Sequence, residues 1–307
     1  MFDIVNKKKN KHWFYLIPAL IVLSIFTFFP LTKVFIISIT KYDQFQDIFQ
    51  ELSLLENYIK VCHDEEFKAA LQNTLLLVVF VVPLSIIVAL FIALALNSVK
   101  NYFFKNTFKI FFFLPLISNS IVMGMIFGIL FYYNSGISTN KPTGLFNSFI
   151  SFFGFSSCEW IGRTASYSNK MFVLVLYNIW ARLSFKIFVF VLALQDIDKS
   201  YYQAAKIDGT PKWRVFTKIT LPLITPIIFY QFIIEMLAVF KEYDSVIGLF
   251  GPDPGYKIKT IVGYIYYQLS ASTHDAYSKG TVAAMILFVI SILFTIISFI
   301  ISRKKTN

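Results

Sequence analysis

The chain has 307 residues, of which 57% are hydrophobic and 36 are phenylalanine, and only 15% are charged. One water-soluble core cannot hide that much apolar surface, so a soluble globular enzyme is excluded. The formal charge of +11 would suit a nucleic-acid binder, but it is distributed around the apolar segments as a membrane protein's charge is, and nucleic acid is not expected as a partner.

The chain opens on a basic tail, 1–12, containing Lys7, Lys8, Lys9 and Lys11. A helix crosses the roughly 30 Å hydrocarbon layer with about 20 apolar residues. Six segments meet that requirement, at about 13–39, 71–97, 110–133, 171–195, 219–240 and 280–302. All are expected to be helices, because backbone amides have no water partner in lipid and these runs do not alternate as barrel strands do. The fold class predicted is therefore an all-α polytopic membrane bundle of about six spans, 13–302, followed by a short tail at 303–307. The first apolar run, with Lys33 as its only charge, is longer than the about 7 to 15 residues of a signal peptide's core, which argues against cleavage.

Segment 40–70 reads as an acidic loop with a short helix feeding the second span. The connection 98–109 is short and basic and closes the second and third spans into a hairpin. Phe146, Phe149, Phe152 and Trp160 interrupt the loop 134–170 and suit an amphipathic element at the lipid interface. Cys62 and Cys158 lie in separate loops, and their spacing leaves pairing and free thiols equally open. Pro18, Pro30, Pro83, Pro115, Pro222 and Pro226 fall inside the apolar runs, where each removes a helical hydrogen bond.

Taking the N-terminus as cytoplasmic, the segments 1–12, 98–109, 196–218 and 303–307 hold 15 Lys and Arg against 4 acids. The segments 40–70, 134–170 and 241–279 hold 10 against 12. This is the bias of the positive-inside rule, and it places both termini in the cytoplasm. Within the spans, Arg182 and Lys186 lie one turn apart, and Glu235 lies toward the outer half of the fifth span. Buried charges in lipid pair or face a wet cavity, so a Glu235–Arg182 pair is expected, with Lys186 reaching toward the cytoplasm. Arg182 is also placed to attract an anionic solute. Ser118, Asn119, Trp180, Tyr230, Gln231 and Tyr243 complete, with Arg182 and Glu235, the candidates for a solute path: hydrogen-bonding groups and aromatic faces suit a sugar.

The connection 196–218 is the most informative segment. Asp198 or Ser200 can cap a short helix through Tyr201–Ile207, Gly209 can take the positive φ that stops it, and a second basic helix from Pro211 leads into the fifth span. Ala204 and Ala205 leave one side of the first helix without bulk, open to another protein's backbone.

Gln203-Ala204-Ala205, Asp208-Gly209, Phe216, Leu221-Pro222 and Pro226 resemble the signature loop of the permease subunits of binding-protein-dependent ATP-binding-cassette importers. Across the rest of the chain, the sequence is similar to the sugar-type members related to maltose- and glycerol-phosphate-transport subunits. Ile17-Pro18-Ala19, Phe29-Pro30, Glu56-Asn57-Tyr58, Asn73-Thr74-Leu75, Phe113-Leu114-Pro115, Asn178-Ile179-Trp180, Tyr243-Asp244 and Gly251-Pro252 carry that similarity in order. The resemblance implies the type I importer permease fold, import of a carbohydrate or related solute, and a coupling role for Tyr201, Gln203, Ala204, Ala205, Asp208 and Gly209 against a separate ATPase. Gln203 stands where the family usually carries Glu, which keeps hydrogen bonding and loses a charge.

The partners implied are a homologous second permease, two ATPase subunits, an extracytoplasmic solute-binding protein and membrane lipid. No phosphate-cradling Gly-x-x-x-x-Gly-Lys-Ser/Thr sequence and no His-Glu-x-x-His occur, so no catalytic residue, metal or cofactor is assigned to this chain; ATP and Mg belong to the partner ATPase. The rival readings are an ion-gradient-driven secondary transporter, which calls for mid-span acids, and a membrane-embedded enzyme, which calls for convergent catalytic groups.

Overall fold

A computed structural model describes residues 11–43, 48–99, 101–133, 144–271 and 273–306. Lys7, Lys8 and Lys9 of the basic tail and the first part of the 134–170 loop lie outside the described residues, as do the side chains of Arg303, Lys304 and Lys305. Among the described residues, five helices are long and apolar enough to cross a membrane: Tyr15–Ile39, Glu65–Ser98, Tyr167–Asp196, Lys212–Phe240 and Ala276–Ser302. A bent pair makes a sixth if it counts as one span.

The first span, α1, runs through Lys11–Leu23 and Phe29–Ile39, joined by a π-helical turn at Ser24–Phe28. The turn ends at Phe29, whose N–H reaches back five residues to the Ser24 carbonyl, immediately before Pro30. The same device recurs in the fifth span, where Leu221 donates to the Phe216 carbonyl just ahead of Pro222. Proline supplies no N–H to the carbonyl behind it, and the wider turn re-pairs the backbone where a regular helix would leave it open.

The chain clusters into two compact units, one taking in the sequence up to Phe67 with Tyr264–Val289, the other Lys68–Gly263 with the sequence from Ile290 on. In the first unit, α1 is followed by a hairpin of β1 (Thr40–Asp43) and β2 (Ile48–Leu52), antiparallel in the register Thr40↔Leu52 and Asp43↔Ile48. The expected short helix follows as α2 (Leu54–His63); the hairpin before it was not expected. The Asn57 amide donates to the Ser38 and Thr40 carbonyls at 3.2 and 2.9 Å, tying α2 to the end of α1. Glu56 accepts from Lys60 at 2.8 Å and Lys41 at 3.1 Å.

Those bonds, Lys60 first, then Lys41 and Ser53, hold the Glu56 carboxyl down to about 2. A depressed carboxyl contributes stability above its ordinary value of 4.5 that disappears as pH falls toward 2. Carboxyl titration followed by infrared spectroscopy therefore finds Glu56 protonating near pH 2, and Lys60→Met moves the midpoint up toward 4.5; an unmoved midpoint would show that Lys60 is not the cause.

In the second unit, α3 (Glu65–Ser98, shared with the first) is followed by α4 (Tyr102–Ile117) and α5 (Ser120–Leu130). The segment expected as one span, 110–133, is in fact broken: its two helices meet at 117°. Pro115 weakens the last turn of α4, Ser118 and Asn119 are both extended, and the Asn119 side chain accepts from the Ile121 and Val122 amides, capping a new helix in a new direction.

Next come α6 (Leu145–Phe152), α7 (Tyr167–Asp196), α8 (Lys199–Ile207), α9 (Lys212–Val215), α10 (Leu221–Phe240) and α11 (Asp244–Phe250). In α6, Phe149 and Phe152 are exposed, while Phe146 packs against Trp160 at 5.1 Å, so the helix has the two-sided character expected of it. Helices α5 and α11 cross at two glycines: a Cβ on Gly124 would stand 2.7 Å from the Gly248 Cα, and one on Gly248 would stand 3.1 Å from the Gly124 Cα. The chain ends in α12 (Ile261–Ser270) and α13 (Ala276–Thr306). Only 6% of the apolar window of α1 or of α13 is buried, against 44% for α7, so the first and last spans leave their apolar surface for lipid or another chain. Cys62 and Cys158 are both free thiols.

Candidate functional site

Two places concentrate chemistry, one between α7 and α10 and one in the connection that joins them. Along α7, Asn178, Arg182 and Lys186 follow one another at four-residue steps and so share a face. Along α10 and just beyond it, Gln231, Glu235, Ala238 and Glu242 follow at steps of four, three and four residues and likewise share a face. The two faces meet as a ladder. Lys186, 2% exposed, lies 2.6 Å from Glu235, itself 5% exposed, and also donates to the Arg182 carbonyl at 3.0 Å. Arg182 pairs with Glu242 and donates to the Ala238 carbonyl at 3.4 Å and the Asn178 Oδ1 at 3.3 Å. Above it, the Asn178 amide donates to the Ser245 hydroxyl at 3.1 Å, and the Ser245 N–H returns to Glu242 at 2.9 Å.

This refines one expectation and corrects another. Glu235 takes Lys186 as its close partner and holds Arg182 only at 4.0 Å, and Lys186 does not reach toward an aqueous side but is buried in the ladder. The reason is geometric: Lys186 stands one turn along α7 from Arg182, level with Glu235, while Arg182 stands level with Glu242. Glu242 was missed because it lies two residues past the end of an apolar run and was counted with an outside loop, yet it is 6% exposed. Its spacing of seven from Glu235, two helical turns on the same face, was the available signal.

A cavity of about 140 Å³ opens beside the upper rungs of the ladder, lined by Ser118, Ser120, Asn178, Trp180, Arg182 and Glu242 among others. Three of the eight candidates for a solute path, Ser118, Trp180 and Arg182, are brought together there. Glu235 and Gln231 lie buried on the ladder face of α10, and the Gln231 Nε2 is without a hydrogen-bond partner among the described residues. The other three stand elsewhere. Asn119 is exposed and caps α5, Tyr230 is exposed on α10, and Tyr243 is the residue before α11. Trp180 packs its ring 5.2 Å from that of Phe127.

In the connection, α8 is capped by the Asp198 carboxylate, which accepts from the Ser200 N–H at 2.8 Å; that bond holds the Asp198 carboxyl below its usual range. Helix α8 ends in a Schellman motif: the Thr210 N–H donates to the Ala205 carbonyl at 2.9 Å and the Gly209 N–H to the Lys206 carbonyl at 3.2 Å, with Gly209 at φ 65°. Tyr201, Gln203, Ala204 and Asp208 are exposed and Ala205 is buried. Exposed beside them are Ile207, at 86%, and Trp213, at 73%. The Tyr202 hydroxyl lies 3.1 Å from that of Thr220, at the foot of α10.

Residues 81–307 match the model of the family described as "binding-protein-dependent transport system inner membrane component". The arabinooligosaccharides transport system permease protein AraP of Bacillus subtilis (strain 168) is 31% identical over 297 residues, 95% of this chain and 89% of that protein. The lactose transport system permease protein LacF of Rhizobium radiobacter is 26% identical, covering 94% of this chain and 91% of its own. The sn-glycerol-3-phosphate transport system permease protein UgpA of Yersinia enterocolitica is also 26% identical, over 95% and 93%. In fold, the chain superposes on a subunit of a bacterial alginate ABC transporter, solved in complex with an alginate pentasaccharide-bound periplasmic protein, with a TM-score of 0.79, 22% identity and coverage of 98% of this chain and 97% of that one. The chain is a polytopic helical membrane protein, and it belongs to the family of binding-protein-dependent transport system inner membrane components.

Proposed function

We propose that this chain is one half of the translocation pore of an ATP-driven importer for a carbohydrate or related solute, moved by a separate ATPase that docks on the connection 196–218. The observation that carries this is α8: a short helix stopped by a Schellman motif, with Tyr201, Ala204 and Ile207 exposed on its surface, and held to the foot of α10 at Tyr202–Thr220. Such a helix offers a partner a small-residue surface, and the Tyr202–Thr220 contact carries a push on it into the span. Arabinooligosaccharide, lactose and glycerol phosphate permeases among its relatives support the solute class.

The chain itself needs no cofactor in this reading; ATP and Mg act on the partner. The assembly is this chain, a homologous permease, two ATPase subunits and an extracytoplasmic solute-binding protein, with both termini and α8 in the cytoplasm, as the excess of basic residues in those segments favours. Glu235, the mid-span acid that a gradient-driven carrier would titrate, is tied to Lys186 at 2.6 Å, which favours ATP as the energy source.

The test is affinity purification of the tagged chain from its native membrane, followed by reconstitution. Co-purification of an ATPase and a second permease, with uptake that requires internal ATP, is the expected result. Uptake by this chain alone, driven by a proton or sodium gradient, would overturn it.

A further inference from the structure

The cavity beside the ladder is lined with hydrogen-bonding groups, yet among the described residues its only cation, Arg182, and its only anion, Glu242, are spent on each other. Arg182 directs its remaining contacts to the Asn178 side chain and the Ala238 carbonyl, and the second Glu242 oxygen accepts from the Ser245 N–H at 2.9 Å. Behind them Lys186 and Glu235 cancel in the same way. The wall is therefore polar without net charge.

We propose that Glu242 is a specificity-determining residue: by neutralising Arg182 in the cavity wall, it suits that cavity to an uncharged, hydroxyl-rich solute and sets it against carboxylated or phosphorylated ones. The inference rests on the reading of this chain as half of a solute pore. A carboxylate or phosphate entering the cavity meets the Glu242 carboxylate. To use Arg182 it must displace Glu242, which is 6% exposed and would be left buried with no counter-charge. A neutral sugar asks nothing of the pair. Its hydroxyls exchange bonds with Ser118, Ser120 and Asn178, and its C–H face lies against the Trp180 ring, which Phe127 holds in place. At about 140 Å³, room for roughly five waters, the cavity addresses no more than one sugar unit at a time.

The experiment uses the complete transporter, partners included, in nanodiscs, and reads the part of the tryptophan fluorescence that Trp180→Phe abolishes. Galactose and galacturonate are the probes, sharing a ring and differing by a charge. In the wild type, galactose quenches that signal and galacturonate requires about tenfold more, the scale of one misplaced charge-assisted hydrogen bond. Glu242→Gln frees the Arg182 charge and shifts the ratio of galacturonate to galactose binding about tenfold toward galacturonate, while Arg182→Gln in the same background removes the shift. Equal binding of the two sugars by the wild type, or an unchanged ratio in Glu242→Gln, would overturn the proposal. Should Glu242→Gln fail to assemble, the wild-type ratio alone decides. If neither sugar quenches while ATP-driven uptake persists, this inference fails and the importer reading stands; loss of ATP dependence would defeat the importer reading itself.

Discussion

Lys186→Met destabilises the chain by about 3–5 kcal/mol, the usual result of removing one partner from a buried ion pair. Lys186 and Glu235 are both almost wholly enclosed, at 2% and 5% exposure, and their charged atoms lie 2.6 Å apart. Without the ammonium, among the described residues Glu235 keeps only the Ser85 hydroxyl at 3.5 Å and Arg182 at 4.0 Å, and Arg182 is already engaged by Glu242. A carboxylate so enclosed is largely cut off from bulk solvent and shares its one remaining cation with Glu242. Lys186→Met with Glu235→Leu removes both charges and recovers most of the loss, because the interior then holds two apolar side chains in place of one stranded ion. Thermal unfolding of the purified protein in detergent, across the two single variants and the double, reads the cycle. Single variants within about 1 kcal/mol of wild type would mean that the pair is hydrated in the membrane and not buried as described.

Ala204→Trp abolishes solute uptake while leaving the chain inserted and folded. Ala204 is exposed on α8, so a large side chain there meets nothing in this chain and its effect falls on whatever docks. Overfilling a packed interface costs about 2 kcal/mol, roughly thirtyfold in affinity. The measurement is paired: ATP-dependent uptake into vesicles, and recovery of the ATPase on the tagged chain. Loss of both is expected, with normal abundance of the chain itself. Wild-type uptake by this variant would remove α8 from the coupling role. Gly209→Pro has the same outcome by another route, because it deletes the N–H that closes the α8 terminus on the Lys206 carbonyl and forbids the φ of 65°.

The spans and the α8 terminus were legible in the sequence because their signals are local. A run of about 20 apolar residues is a span wherever it occurs, and Asp198 and Gly209 announce the ends of α8 by residue type alone. The break in 110–133 was not legible, because Ser118 and Asn119 are two polar residues in a long apolar run and averaging hides them; only the capping bonds of Asn119 show that they begin a new helix. The partners of Arg182 and Lys186 were hidden for a different reason. Which acid faces which base depends on how α7 and α10 are aligned along their lengths, a register that no single helix contains. The boundary of the fifth span at 240 agrees with the end of α10 at Phe240; Glu242 escaped notice because it lies two residues beyond that end, and only the packing of α10 on α7 shows that it turns back to Arg182.

Where α5 crosses α11, both contacting residues are already the smallest there are, and each backbone occupies the space a methyl on the other would need. Most close-packed positions drift in evolution by trading bulk, one side growing as its neighbour shrinks. Gly124 and Gly248 have nothing left to trade, so enlargement at either site has no single-residue remedy at the other, and a lineage that lost one would have to part the helices themselves.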